Sequence, residues 1–286
     1  MFDCTGDFDM TIMDQGKGKK HRNREKRSNV EDQARKQKKK RNRDVREENS
    51  IVGFHGSVVE IDSENQDAPI MVSDEVGEDG ARVRRLRFFT LDQTSHELVS
   101  DHIQTEMALT AEGTPDPTRL MLQYHRVMYD AMCRLPTVVK KVCVLGHGAG
   151  ALSSFLSTLL RFEICAVDSN PAVLRLGRKH FNDRVTAQHD DGSSFLRRSV
   201  GSFDVVLVDL NAPSNEALDA PPREFCTHDF VDLVARVTGN LIMNVLGGSE
   251  QARSDVKAAY SRKFSTRWVH PDGCNNYILV ATQQTT

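Results

Sequence analysis

The chain has 286 residues, of which 38% are hydrophobic and 27% charged, and its formal net charge is -2. This length suits one large domain or two smaller ones. Its mean hydropathy of -0.47 and its low apolar share predict that part of the chain stays outside a packed core. No apolar run approaches the roughly 20 residues that a membrane span requires. The acidic N-terminus also lacks the apolar stretch of a secretory signal, so we expect neither membrane contact nor secretion.

The six cysteines are scattered along the chain and form no CxxC pair. This spacing disfavours a structural zinc site, and we expect no metal. Reduced cysteines in a cytosolic or nuclear protein are the simplest interpretation. We therefore expect a cytoplasmic protein, with a nuclear location left open by the composition of its N-terminal region.

That N-terminal region differs from the rest of the chain. Positions 17–48 contain 15 lysines and arginines against 6 acids, with almost no apolar side chains. Such a segment cannot offset the roughly 1–2 kcal/mol per residue that backbone ordering costs. We predict a disordered basic arm over 1–50. It is either a solvated tail, a nuclear address in KQKKKRNR or a polyanion-binding arm.

The next region, 51–117, is predicted to form a small β unit with a lid segment. IVGFHGSVVEI alternates between apolar and polar residues, and 83–91 is a second strand candidate beyond the acidic loop DEVGEDGA. A helix is then predicted over 118–134, because its apolar residues recur at helical spacing. Pro136 ends this helix.

Short apolar strands then alternate with helices as far as the C-terminus. The strands are predicted at 141–146, 163–168, 185–189, 203–210, 240–246, 266–270 and 276–282. This alternation predicts an α/β domain over 118–286, with a mostly parallel, Rossmann-like sheet covered on both faces. No helix separates the last two strands, so we predict one antiparallel strand at the edge.

In open α/β sheets, ligands bind at the carboxyl ends of the strands. The first parallel strand is followed by Gly146, Gly148 and Gly150, and glycines there allow a tight turn and a close approach to a ligand. The second strand ends in Asp168, 22 residues after Gly146. An acid at that place accepts hydrogen bonds from a ribose diol. A charge at a helix N-terminus is the alternative role of Asp168.

Two further strand ends carry acids. Asp191 could hold an adenine amino group, and capping of the next helix is the competing role. Asp209 ends the fourth strand beside the reacting end of any ligand that lies along the first three strands, and a turn-forming aspartate is the alternative. The third glycine of GxGxxG is absent and there is no Walker lysine. S-adenosylmethionine or its decarboxylated relative is therefore favoured over NAD and ATP.

Five sequence motifs resemble the spermidine synthase-like branch of the class I methyltransferases. They are HELVSDHIQTEM, YHRVMYDAM, VCVLGHGAGAL, HDDGSSFL and FDVVLVDLNAP, between about residues 88 and 281. The resemblance implies a Rossmann-like fold and S-adenosylmethionine as the cofactor. It implies that the three glycines line the methionine part of the cofactor, that Asp168 holds its ribose and that Asp191 holds its adenine. It also implies that Gln104 and Tyr124 lie near the cofactor tail and the acceptor, although Tyr124 could simply pack.

The chain departs from the aminopropyltransferases of this branch at two acids, which are replaced by Ala149 and Ala212. A polyamine is a multiply charged cation that needs carboxylates around it. The two missing acids therefore favour methylation over aminopropyl transfer. The resemblance implies a protein amine as the acceptor, a lysine or an N-terminal amine, as in the methylation of elongation factor 1-alpha, and this is the first hypothesis. Asp209 would orient the amine or take its proton, and Tyr124 is the second candidate catalytic residue.

Two alternatives stay open. One is aminopropyl transfer in polyamine synthesis. The other is a non-catalytic binding module, which the bulky His147 and Ala149 in the glycine turn would favour. The partners left open are a protein substrate, a polyanion held by 17–48 and a second copy of the chain.

Overall fold

A computed structural model describes residues 54–64, 68–77, 79–92, 97–160, 162–199, 203–212 and 216–283. The basic arm predicted over 1–50 lies outside these residues. The described part contains two β-sheets and six α-helices, all within a compact unit that spans Val52–Thr286. In these ranges, no helix is both long and apolar enough to cross a membrane.

The first sheet is antiparallel throughout and has five strands in chain order. They are β1 (Ser57–Asp62), β2 (Ile70–Val76), β3 (Arg82–Leu91), β4 (Leu98–Leu109) and β5 (Pro115–Leu120). The sequence predicted only two of them. The strand β4 escaped prediction because its first half, LVSDHI, holds several polar residues and has no buried side chain, whereas the five residues at its end are buried.

The helix predicted over 118–134 starts later than expected. Its first residues belong to β5, where Leu120 pairs with Met107 of β4. The first helix, α1, therefore runs only over Gln123–Cys133. The predicted start was wrong because pairing with β4 holds these residues in an extended conformation. The Arg126 side chain fastens this junction by donating to the carbonyl oxygen of Leu120 at 2.6 Å.

An ion-pair network occupies β2, β3 and β4. The carboxylate of Glu75 accepts from Arg85 at 2.7 Å and also from Arg87, which in turn pairs with Asp101. The side chains of Glu75 and Arg87 are only 9% and 5% exposed. Burial raises the pKa of Glu75, but the hydrogen bond from Ser73 and the charges of both arginines outweigh burial and hold that pKa below its usual value.

The second sheet has seven strands. They are β6 (Lys141–Leu145), β7 (Glu163–Asp168), β8 (Gln188–His189), β9 (Val205–Val208), β10 (Asn240–Leu246), β11 (Phe264–Val269) and β12 (Asn276–Gln283), in the spatial order β11-β12-β10-β9-β6-β7-β8. The strands from β10 to β8 pair in parallel. The predicted mixed α/β fold is confirmed.

The predicted position of the antiparallel strand was wrong. It is β12, which pairs antiparallel with both β10 and β11 and so lies one place in from the edge. The burial of the two strands explains this order. β12 has four consecutive buried residues, as suits a strand with neighbours on both sides, whereas β11 alternates with exposed positions and forms the edge.

Helices cover both faces of the second sheet. They are α2 (Ala151–Leu160), α3 (Pro171–His180), α4 (Gly192–Arg198), α5 (His228–Val237) and α6 (Glu250–Ser261). One apolar cluster joins α4, α5 and α6 to one face, and another joins α1 and α2 to the opposite face. Thr227 caps α5 by accepting from the amide of Phe230 at 3.3 Å, which separates this helix from the short 3-10 helix Arg223–Cys226.

A third apolar cluster joins the first sheet to α3. Leu86 of β3 and Met107 of β4 pack there with Leu176 and Phe181, and all four are fully buried or nearly so. This packing holds β4 against the loop that follows β6. The first sheet thereby becomes a wall of the cleft described next.

Candidate active site

A cleft of about 210 Å³ lies at the carboxyl ends of β6, β7 and β9, opposite β4. Most of the residues that the sequence predicts for the cofactor or acceptor site line this cleft. Its lining includes Gln104, Tyr124, Gly146, Gly148, Asp168 and Asp209. Gly150 and Asp191 are the two predicted residues that do not line it.

The turn after β6 requires glycine. Gly146 has a φ of 88°, and a Cβ there would overlap the carbonyl oxygen of Asp209 and lie 2.7 Å from its carbonyl carbon. A Cβ at Gly148 would lie 2.8 Å from Oγ1 of Thr105 on β4, and one at Gly150 would lie 2.7 Å from Oδ1 of Asp183. The turn is therefore packed closely on both sides. The missing side chain at Gly150 leaves room for the Asp183 carboxylate.

The two bulky residues of this turn face the protein interior. The His147 side chain is fully buried, with Nδ1 2.9 Å from Oγ of Ser153 and Nε2 2.9 Å from Oδ2 of Asp183. Ala149 is buried in the third apolar cluster, and its amide donates to Oγ1 of Thr105 at 2.9 Å. Both residues thus tie the turn to its surroundings.

Asp168 is hydrogen-bonded to the same turn. Its Oδ2 accepts from the amide of Gly148 at 2.8 Å, and its Oδ1 accepts from the amide of Asn170 at 2.9 Å. Burial raises the pKa of Asp168, and the two amide hydrogen bonds oppose that rise. The N-cap of α3 is Asn170, whose Oδ1 accepts from two amides. Each oxygen of Asp168 has a second lone pair, so its ribose role stays a prediction.

Asp191 is exposed and caps α4. Its Oδ1 accepts from the amide of Ser194 at 2.7 Å, which is the competing role that the sequence suggested. Its predicted contact with adenine stays a prediction.

Asp209 is the centre of a hydrogen-bond network that the sequence did not predict. Its Oδ2 accepts from the Tyr124 hydroxyl at 3.2 Å and lies 2.8 Å from Nε2 of His125. Its Oδ1 accepts from Nδ2 of Asn244 at 3.0 Å. Asn276 extends the network by donating to Oδ1 of Asn244 at 2.8 Å. Residues of α1, β10 and β12 thus fix one carboxylate at the wall of the cleft.

Tyr124 lines the cleft and also packs against its neighbour, and its predicted place near the acceptor stays a prediction. Its ring packs against His125, with 4.4 Å between the ring centroids, while its hydroxyl reaches Asp209. Burial raises the pKa of Tyr124, and the neighbouring Asp209 carboxylate raises it further, so the phenol remains a donor. Gln104 also lines the cleft and accepts a hydrogen bond from the side chain of Asn211.

Sequence reasoning missed His125 and Asn244. A signal existed for Asn244, because it is a polar residue inside the buried strand NLIMNVL. His125 stands next to Tyr124 on a helix and is 4% exposed. Its Nδ1 is buried and has no hydrogen-bond partner among the residues that the structure describes.

Comparisons with known proteins agree with this architecture. No protein-family model matches the chain. A Drosophila melanogaster protein named "eEF1A lysine and N-terminal methyltransferase homolog" is 25% identical over 207 residues, which is 64% of this chain and 30% of that protein. Its namesake from Drosophila pseudoobscura pseudoobscura is 28% identical over 139 residues, 44% of this chain and 21% of the relative. The chain thus spans less than a third of the length of these relatives.

A polyamine aminopropyltransferase of Oceanobacillus iheyensis is 30% identical over 125 residues, 39% of this chain and 23% of that enzyme. Among solved structures, human methyltransferase-like protein 13 in complex with SAH has a TM-score of 0.53 at 20% identity and covers 57% of this chain and 83% of its own. The sequence runs PPREF and NLIMNVL also resemble the C-terminal domain of that protein. A probable spermidine synthase from Corynebacterium glutamicum has a TM-score of 0.57 at 17% identity and covers 80% of both chains. These similarities confirm the resemblance of the chain to the spermidine synthase-like branch of the class I methyltransferases.

Proposed function

We propose that the protein is an S-adenosylmethionine-dependent methyltransferase that acts on a protein amine. One observation carries this proposal. The same cleft holds the glycine turn, which is hydrogen-bonded to Asp168, and the carboxylate of Asp209, which its neighbours hold in place. The first group suits a nucleoside cofactor and the second suits a cationic or polar acceptor. The names of the two Drosophila relatives support the same activity.

The cleft residues fit this cofactor. Gly146 and Gly148 line the cleft, and the absence of side chains lets their backbone pack closely against Asp209 and Thr105, which suits a wall formed by backbone atoms. Asp168 presents a half-buried carboxylate at the end of the neighbouring strand, where a ribose diol could donate to it. When bound, S-adenosylmethionine supplies a methyl group on a positively charged sulfur. The chain itself must bind, orient and deprotonate the acceptor.

The ionisation of the acceptor decides how much help it needs. A chain-terminal amine has a pKa of about 7.7–8.0 and is partly neutral at physiological pH, whereas a lysine near 10.4 is almost wholly charged. The Asp209 carboxylate faces the cleft and can attract and orient an ammonium group there. Positioning and exclusion of water then contribute most of the rate.

Aminopropyl transfer is the weaker alternative. Holding a polyamine requires carboxylates beyond Asp209. Ala149, which replaces one acid of those enzymes, is buried in an apolar cluster, so no carboxylate is available at that place. Ala212 likewise offers none, and its amide donates to the carbonyl oxygen of Asp219 at 2.8 Å.

The test is transfer of labelled methyl groups from S-adenosylmethionine to purified eEF1A, the acceptor in the names of the relatives, and to a cell lysate. We expect labelled protein, with the modified amine identified by mass spectrometry. Decarboxylated S-adenosylmethionine with putrescine forms the second arm. Product in that arm alone would contradict the proposal. Cytoplasmic location, polyanion contact through 17–48 and a homodimer stay predictions.

A further inference from the structure

The edge of β4 that faces away from β3 is only partly covered. Among the described residues, β5 pairs with β4 only at Met107, Ala108 and Leu109, so the part of β4 before Met107 pairs with β3 alone. Between two register shifts, 100–103 forms a regular antiparallel stretch opposite 87–90. A strand edge without a neighbour presents its amides and carbonyls to a further strand.

The direction of the hydrogen bonds in β3 follows from one contact. The amide of Phe89 donates to the carbonyl oxygen of Pro69, just before β2, at 3.1 Å. Successive residues of an antiparallel strand direct their backbone amide and carbonyl groups to opposite edges. Phe88 and Thr90, on either side of Phe89, therefore direct theirs toward β4.

The same alternation identifies the free backbone groups of β4. The partners of Phe88 and Thr90 are His102 and Ser100, which therefore use their amide and carbonyl groups within the sheet. Asp101 and Ile103 direct theirs to the opposite edge. Within the described part of the chain, no backbone hydrogen bond meets them there. We call this outer edge of 100–103 the β4 edge.

The β4 edge leads into the cleft. Ile103 and Gln104 line the cleft together with Asp209, and the register shift at Gln104 ends the regular stretch at that point. β4 contains neither the lysine nor the proline that commonly protect an edge strand. Two of the five large hydrophobic side chains that are exposed in the described part, Val99 and Ile103, also belong to β4. A partner that is itself an extended polypeptide matches both the backbone groups and these side chains.

We propose that the β4 edge is the docking site of the methyl acceptor, which binds there as an extended polypeptide segment. This proposal rests on the proposed function. In the antiparallel direction, which gives the slightly more stable pairing, the start of the segment lies at Ile103 beside the cleft. Its following residues run along the edge toward Ser100. At about 3.3 Å per residue, the regular stretch holds roughly 13 Å of acceptor backbone.

Hydrogen exchange of single amides, measured by NMR on the full chain with S-adenosylhomocysteine, tests this docking site without turnover. In the protein alone, the amides of Asp101 and Ile103 should be weakly protected and those of Ser100 and His102 strongly protected. A synthetic peptide that copies the N-terminal segment of eEF1A should raise the protection of Asp101 and Ile103 by about tenfold or more at saturation. Ser100 and His102 are the internal controls and should change by less than about twofold.

N-methylation of the peptide backbone, one amide at a time, tests the pairing itself. Only every second amide of a paired strand faces its neighbour. Peptide affinity, measured by calorimetry, should therefore fall by about threefold or more at alternate positions, as for loss of a hydrogen bond. The positions between them are matched controls and should keep their affinity. A loss that does not alternate would overturn the proposal.

The outcomes separate the docking site from the proposed function. Methyl transfer to the peptide without new protection of Asp101 and Ile103 would overturn the docking site and leave the function intact. Protection and alternation without methyl transfer would contradict the function and leave the docking site intact. Strong protection of both amides before the peptide is added would overturn the docking site, because another segment of this chain or a second copy would then hold the edge. A dependence of that protection on protein concentration would identify the second copy.

Discussion

Replacing Gly146 with alanine tests the close approach of the glycine turn to the end of β9. The backbone φ of 88° at Gly146 costs an L-residue about 1–2 kcal/mol. The new Cβ would also overlap the backbone carbonyl of Asp209, whose carbon lies 2.7 Å away. A backbone group at the end of a central strand cannot move aside as a flexible side chain can. Overpacking typically adds about 1–3 kcal/mol, so we expect Gly146→Ala to lower the free energy of unfolding by about 2–5 kcal/mol.

Gly80→Ala is the matched control, because Gly80 has a similar φ of 79° and no heavy atom lies within 4 Å of the place that its Cβ would take. It should lose only about 1–2 kcal/mol, the cost of the backbone conformation. Urea denaturation of both variants measures the difference, and calorimetry with S-adenosylmethionine should show loss of binding in Gly146→Ala alone. Equal destabilisation of the two variants would refute the close approach and, with it, the described shape of the cleft.

Three further predictions concern carboxylates. Asp168→Ala should raise the dissociation constant of S-adenosylmethionine by about tenfold or more, since hydrogen bonds to a charged group contribute about 1.5–3 kcal/mol; unchanged affinity in calorimetry would move the ribose site elsewhere. Asp191→Ala should lower the free energy of unfolding by about 1 kcal/mol through loss of the α4 cap; a large loss of cofactor affinity would support its adenine role, and an unchanged affinity would contradict it. Glu75→Gln should lower the free energy of unfolding by about 3 kcal/mol at pH 7. This is the low end for breaking a buried ion pair, because Arg87 would still be paired with Asp101. The pKa of Glu75 lies below its usual value in the folded state, so its contribution is present above the ordinary glutamate pKa and is lost as the pH falls. The deficit of Glu75→Gln should therefore shrink in acid denaturation series, and a constant deficit would contradict this account.

The second sheet could be predicted because its signals are local. VVLV and NLIMNVL are almost continuously buried strands, and such runs between helices leave few alternatives to a parallel sheet. The strand ends follow directly from those runs. For that reason most of the cleft residues chosen from the sequence do lie together.

The first sheet could not be predicted in the same way. Its β4 begins with polar and exposed residues, and its β5 contains two prolines. Both strands exist because they pair with chain neighbours and pack on helices, β4 on α3 and β5 on α1 and α2. No local pattern in the sequence records this pairing. The position of β12 in the second sheet could not be predicted for the same reason. Either β11 or β12 could pair with β10, and no local pattern decides between them.

The network around Asp209 shows where sequence reasoning about a site ends. Asp209 was recognisable from its strand end, but its direct partners come from α1 and β10, and β12 supplies the next residue of the network. These elements are far apart in sequence. The rotation of α1 about its axis brings both Tyr124 and His125 to Asp209. That rotation is set by the packing of Met128 and Met132 against the second sheet, which only the assembled structure shows.

The shape of the cleft also depends on the first sheet, because Thr105 of β4 contacts the glycine turn. Its Oγ1 accepts from the amide of Ala149 and occupies the space next to Gly148, so β4 holds the glycine turn from the side opposite Asp168. Gln104 of the same strand binds the side chain of Asn211, just beyond Asp209. The strand therefore contacts both the expected cofactor end and the expected acceptor end of the cleft. A change that loosens β4 should consequently weaken cofactor binding and turnover together, whereas a change confined to the Asp209 network should lower turnover alone.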